Sequence, residues 1–297
     1  MSTALLLLPD FLLIVIGFVL CRHTALNRSV WDGVERLVYY VLFPVLLFNS
    51  ILKSPLQPAQ TLALAAGSVG TVACGIVLAL ALGRWPGVDA RMHASGSQTA
   101  FRFNSYIGLA LAERLGGPNG LAWMALSIAL CVPLCNVAAV WPLARHGGHS
   151  YGRELLRNPL ILSTVAGLIA NLAGLHFPEA MATTLQRIGL AALPLGLMGA
   201  GAGLRLGGLK DAPGLAAALM AVRHAILPAV AIGLTAVLAL PPEQRVIVVL
   251  FASLPTASSA YVLAARMGGD GAYVAGLVTL STLLGMLSIP LWLAALH

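Results

Sequence analysis

Ala100-Phe101-Arg102-Phe103-Asn104-Ser105-Tyr106-Ile107-Gly108-Leu109 and Phe251-Ala252-Ser253-Leu254-Pro255-Thr256-Ala257-Ser258-Ser259-Ala260-Tyr261 are two apolar segments that turn polar at mid-length. The first carries Arg, Asn, Ser and Tyr almost in a row, so it cannot face lipid. In the second, Pro255 removes a backbone N–H and its ring blocks the carbonyl one turn back, which kinks or breaks a helix. Backbone groups freed at membrane depth survive only where they are buried in protein or line a wet cavity. Both segments therefore read as broken helices at a site. Half-helix N-termini there carry partial positive charge and free N–H donors, which suits an anionic group such as a carboxylate. Arg102, Asn104, Ser105, Thr256, Ser258 and Ser259 are the expected substrate contacts, and Pro255 is expected to hold its break open.

The rest of the chain sets these segments in a bilayer. Of 297 residues, 59% are apolar and 9% are charged, against roughly 25% charged in ordinary globular chains. At ~20 residues per spanning helix, ten helices take about 200 residues and leave about 97 for loops and ends. No soluble domain fits beside them, which excludes a folded ectodomain or a fused ATPase. Apolar runs predict helices near 4–21, 34–53, 60–82, 95–114, 119–144, 159–175, 181–204, 213–239, 243–265 and 272–294. Residues 1–21 read as a retained helix, because no Lys or Arg precedes the run and no A-x-A pattern closes it. The formal charge of +7 is spread singly along the chain and reads as topology, not as affinity for nucleic acid. Eleven Lys and Arg residues fall at odd-numbered loops (Arg22, Arg28, Arg36, Arg84, Arg91, Arg145, Arg153, Arg157, Arg205, Lys210, Arg266) and four at even-numbered ones (Lys53, Arg114, Arg187, Arg245). Basic residues stay on the cytoplasmic side, so both termini are expected on the non-cytoplasmic face of the cell inner (plasma) membrane.

The two halves resemble each other. Arg36 and Pro44 in the second helix match Arg187 and Pro194 in the seventh, and Glu113-Arg114-Leu115-Gly116-Gly117-Pro118 matches Ala265-Arg266-Met267-Gly268-Gly269-Asp270 at an offset of 152. That offset sets Asn104 opposite Thr256 and Ser105 opposite Ala257. Five helices per repeat is an odd number, so the second copy enters from the opposite side. The expected fold is an all-α polytopic membrane protein: one transporter domain over 1–297, with a first repeat at 1–144, a cytoplasmic middle loop at 145–158 and a second repeat at 159–297. Inverted repeats exchange conformations around a midplane site, the geometry of a secondary transporter.

Leu8-Pro9-Asp10-Phe11-Leu12-Leu13-Ile14, Tyr39-Tyr40-Val41-Leu42-Phe43-Pro44, Phe103-Asn104-Ser105-Tyr106-Ile107-Gly108 and Leu254-Pro255-Thr256-Ala257-Ser258-Ser259-Ala260-Tyr261 resemble the motifs of the auxin efflux carrier family in its short bacterial form, and the resemblance covers nearly the whole chain. It implies ten helices in two inverted repeats, broken fourth and ninth helices that cross, a substrate at the crossing, and a scaffold made of the first, second, sixth and seventh helices. It also implies organic-anion cargo: auxin in plants, small carboxylates such as malonate or malate in bacteria. A homodimer is consistent with it. Plant members place a Pro in the broken fourth helix; none lies between Pro86 and Pro118 here, so Gly108 is expected to permit that break. The long hydrophilic loop of many plant members is absent as well.

Charges inside a bilayer cost ~2.5–3.5 kcal/mol or more unless paired or hydrated, which makes Asp10, Arg102, Arg223 and His224 candidates for function. Asp10 lies near the outer end and reads first as an interfacial acid. Arg102 has two readings, a fork for a substrate carboxylate or a side chain that snorkels to the cytoplasmic face. Arg223 and His224 precede Pro228 in a helix expected to kink; His224 either couples transport to protons or is simply hydrogen-bonded. Asn49 on the second helix reads as an interhelical bonding group or a further substrate contact. Gly199, Gly203 and Gly207, four apart, suit a close helix seam within the chain or in a dimer. Cys21, Cys74, Cys131 and Cys135 read as small core residues, and neither a metal nor a cofactor is expected. The chain has no HExxH, GxSxG or P-loop pattern and no Asp pair for intramembrane proteolysis, so it does not read as an enzyme. The alternatives within transport are an anion channel and a carrier like the bile-acid/sodium symporters, which also have ten helices and crossed broken segments.

Overall fold

The computed structural model describes residues 3–53, 58–144, 159–204, 209–257 and 260–296. Every regular element among them is helical. In chain order they are α1 (Thr3–His23), α2 (Arg28–Leu37), α3 (Phe43–Lys53), α4 (Pro58–Ala81), α5 (Ala90–Gly96), α6 (Ser105–Ala144), α7 (Pro159–Leu172), α8 (Glu179–Leu190), α9 (Ala192–Ala202), α10 (Pro213–Ala221), α11 (Leu227–Val237), α12 (Pro242–Ser253), α13 (Ala260–Arg266) and α14 (Gly271–Ala294). Four stretches among the described residues are long and apolar enough to cross a membrane unaided: Thr61–Arg84, Ala90–Leu143, Pro213–Val237 and Gly271–Ala294. The middle loop expected at 145–158 lies outside the described residues.

Local chemistry sets the interruptions. The long α6 is two arms meeting at Gly117, whose φ of 55° and ψ of −147° are open to glycine. Pro118 then opens the second arm, where its missing N–H costs nothing. One π-helical turn, Val38–Leu42, stands two residues before Pro44, and another, Val222–Ile226, two residues before Pro228. In each the widened turn accommodates a ring that has no N–H to give the carbonyl four residues back. Asp89 and Asp270 cap α5 and α14 by accepting from the Met92 and Tyr273 N–H groups, both at 2.8 Å.

The chain divides into two compact units. The first comprises residues 1–61, 106–129 and 151–203, and the second 62–105, 130–150 and 204–297. The first thus gathers α1–α3 and α7–α9, the elements of the first, second, sixth and seventh expected helices, together with part of α6. Small residues bring its helices together. A Cβ on Gly201 would lie 1.8 Å from the Ile14 carbonyl oxygen, and one on Gly17 only 1.9 Å from that of Met198, so α1 and α9 meet backbone to backbone. Of the glycine row expected to form a seam, Gly199 faces the Glu35 side chain and Gly203 faces Arg28, both close contacts within the chain, and Gly207 lies outside the described residues. Asn171 of α7 donates to the Ile51 and Leu52 carbonyls at 3.0 and 2.9 Å, which satisfies two acceptors at the end of α3. Phe43 stacks on Tyr106 at 4.8 Å between centroids.

Candidate functional site

The second unit holds the two breaks, and the backbone joins them. After α5 a short 3-10 turn, Ser97–Ala100, ends helical structure until Ser105; after α12 residues 254–257 are non-helical. The Asn104 N–H donates to the Pro255 carbonyl at 2.8 Å. Phe103, next to Asn104, meets Phe251 edge to face, their centroids 4.5 Å apart. Thr256, which the expected offset sets opposite Asn104, directly follows the bonded Pro255.

The first break also falls earlier than expected. Gly108 was the residue expected to permit it, yet Gly108 lies buried inside α6, and the non-helical residues are 101–104. The reason is not local. Asn104 spends its N–H on a carbonyl from a distant segment, which removes one bond from any continuous helix through that point.

Three side chains from other helices hold the second break. Pro255 has no N–H for the Phe251 carbonyl, and Arg223 supplies donors instead: Nε to the Leu254 carbonyl at 2.5 Å and Nη2 to the Phe251 carbonyl at 3.4 Å. On α14, Ser281 Oγ accepts the Thr256 N–H at 2.9 Å. His224 reaches Ser281 Oγ with Nε2 at 2.8 Å and Ser288 Oγ with Nδ1 at 3.0 Å. A neutral imidazole offers one donor and one acceptor, and the two hydroxyls turn to match. A Cβ on Gly285 would come 3.3 Å from the Pro255 ring. Ser281, Gly285 and Ser288 are spaced i, i+4, i+7, so they form one face of α14 against the break.

The expected contacts are distributed as follows. Asn104 and Thr256 are both buried at the joined breaks, and the Thr256 hydroxyl has no hydrogen-bond partner among the described residues. Ser105 is the first residue of α6 and is half-buried. Arg102, in the break itself, donates through Nη1 to Gln98 Oε1 at 2.9 Å. Ser258 and Ser259 lie outside the described residues. Asn49 sits on α3 in the first unit, and its buried Nδ2 has no hydrogen-bond partner among the described residues. Asp10 lies in α1. Sequence reasoning missed Ser281, Ser288, Gln98 and Trp292, whose indole N–H donates to the His224 carbonyl at 2.7 Å. The signal was present for α14, because Ser281, Gly285, Ser288 and Trp292 follow helical spacing within an apolar run.

The arrangement is one for binding, not for bond chemistry. It presents hydroxyls, an amide and two guanidiniums beside broken backbone, groups that hold a polar ligand. Comparison with known proteins agrees. Residues 143–293 match the family described as "Membrane transport protein". A protein of Rhizobium meliloti (strain 1021) named "Putative malonate transporter" is 25% identical over 96% of this chain and 92% of its own length. An "Uncharacterized transporter" of Methanothermobacter thermautotrophicus (strain Delta H) is 27% identical over 96% of this chain and 95% of its own. A helical membrane protein with joined helix breaks, matched over about half its length by that family and over nearly all of it by two such relatives, belongs to the membrane transport proteins of the auxin efflux carrier family.

Proposed function

We propose that this transporter is a secondary carrier of small organic anions, mono- or dicarboxylates such as malonate, malate or auxin-like acids, working by alternating access. The observation that carries the reading is the junction of the two breaks through the Asn104 N–H and the Pro255 carbonyl, with Arg102 and Arg223 bonded beside it. Fixed positive charge and the start of α6 favour an anion there. The name of the Rhizobium relative points to the same class of cargo. Asn104, Ser105, Thr256, Ser258 and Ser259 are proposed to bind the polar end of the substrate, with Asn49 as a further contact.

The proposal includes ten crossings in two inverted repeats, 1–144 and 159–297, joined by a cytoplasmic loop, with both termini outside the inner membrane and a homodimer as the assembly. One pair of landmarks fits the repeat: Gly117 and Gly268, two of the glycines with positive φ, are 268 − 117 = 151 apart, within one residue of the offset read from the sequence. The unit that contains both breaks is taken as the moving element and the unit of α1–α3 and α7–α9 as the scaffold.

The test is counterflow in liposomes preloaded with unlabelled malonate, malate or indole-3-acetate, following entry of the matching labelled acid. Saturable counterflow is expected from the parent protein, and Asn104→Ala is expected to insert and fold but to lose affinity by roughly tenfold, one charge-assisted or buried polar contact at about 1.4 kcal/mol. Unchanged kinetics in Asn104→Ala would remove the site assignment. Flux without saturation or counterflow would make the protein a channel, and uptake that strictly requires Na⁺ would make it resemble the sodium symporters.

A further inference from the structure

Arg223 is almost wholly buried, at 1% exposure, and no carboxylate among the described residues pairs with it. A buried charge normally has a partner of opposite sign or is neutralised. What Arg223 has instead is the carbonyl end of a half-helix: the Phe251 and Leu254 oxygens, at the end of α12 where Pro255 withholds the next N–H. The C-terminal end of a helix carries partial negative charge. In carriers built from discontinuous helices, such half-helix ends and unwound carbonyls are the oxygens that hold a coupling Na⁺. The neighbouring groups are neutral dipoles of the same kind, with the Ser281 hydroxyl holding the Thr256 N–H.

We propose that Arg223 is a built-in cation of this crossing. It positions the end of α12 in place of a recruited metal cation, and its charge is the one against which an anionic substrate binds without a co-bound Na⁺. The second half of this inference rests on the anion-carrier reading; the first does not. Arg223 is a positioning residue, since its fork is spent on backbone carbonyls and it reaches the substrate only through the break that it holds.

Two measurements test it on the purified full chain. Thermal unfolding in detergent, with NaCl exchanged for choline chloride at equal ionic strength, is expected to give the same Tm for the parent protein. A Na⁺-specific rise would mean that a metal cation is recruited after all and would overturn the inference. Arg223→Met, which keeps the length of the stem and drops the charge, is expected to lower Tm and abolish counterflow. Arg223→Lys is expected to retain part of both. In Arg223→Ala, millimolar methylguanidinium is expected to restore Tm and counterflow in part, where choline does not. Parent-like behaviour of Arg223→Met would show that only packing matters, and it would sink the proposal even if Arg223→Ala fails to fold. If the parent carries none of the acids tested while the unfolding results come out as expected, the substrate class falls and the fixed cation stands.

Discussion

The two units solve the problem of packing helices without water in opposite ways. The first removes side chains: Gly17 and Gly201 let α1 and α9 touch through their backbones, and Gly167 does the same for α7 against Phe48 and Ile51. The second inserts polar ones. Its buried set includes Ser95, Ser97, Gln98, Thr99, Asn104, Arg223, His224, Thr256 and Ser281, and of these Arg223 and Ser281 bond to the backbone of the second break. Contacts made by missing Cβ atoms tolerate no insertion and offer no second arrangement. Hydrogen bonds between side chains and freed backbone can be exchanged for others at modest net cost, because each is worth only ~0.5–1.5 kcal/mol. Under the proposed carrier mechanism, the contrast fits a rigid first unit and a second unit that rearranges.

The largest effect is expected where the contrast is sharpest. Gly201→Ala puts a methyl group into the Ile14 carbonyl, so α1 and α9 must separate, at a cost of about 3 kcal/mol or more. Gly33→Ala is the control in the same unit, because nothing lies within 4 Å of a Cβ at Gly33; a helix-interior exchange of this kind is neutral or gains up to ~1 kcal/mol. Thermal unfolding in detergent should separate the two variants widely, and similar Tm values would break the claim that α1 and α9 are held by backbone contact. A smaller effect is expected from Ser281→Ala. The Thr256 N–H and His224 Nε2 both lose their partner, costing ~1–3 kcal/mol. The protein should remain folded while counterflow drops several-fold, and parent-like counterflow would show that Thr256 does not depend on α14.

Much of the helical course was legible, because length and apolarity decide it: each expected segment overlaps a helix, although α6 runs through both the fourth and the fifth and starts ten residues after the expected start of the fourth. Pro255 was legible because a proline acts on its own neighbours. The first break was not placed correctly, because the agent is a hydrogen bond between residues 151 positions apart and Asn104 gives no local sign of it; Gly108, the only residue with unusual backbone freedom nearby, turned out to be ordinary helix. The roles of Ser281 and Ser288 were hidden for a related reason. A hydroxyl in a tight helix usually bonds its own backbone one turn back, as Thr279 and Thr282 do here, so nothing in composition separates the two serines from the two threonines. Only their shared face with Gly285 does.

The smallest expected effect isolates one principle at work in the second unit, that a proline's debt is met by a side chain from another helix. Pro228 has no N–H for the His224 carbonyl, and the Trp292 indole donates to that oxygen. Trp292→Phe keeps most of the ring and loses the donor, so it should cost ~1 kcal/mol, read as a small fall in Tm. Arg223 stands in the same relation to Pro255 and the Phe251 carbonyl, but Trp292 carries no charge and lies outside the proposed binding groups, so counterflow should persist. The decisive arm is the double mutant. Pro228→Ala restores a backbone N–H within reach of the His224 carbonyl, so Trp292→Phe should cost clearly less in that background than in the parent, a coupling that a double-mutant cycle measures directly. Equal costs in the two backgrounds would mean that the indole serves only to fill space, and that the link between prolines and distant donors holds at Pro255 alone.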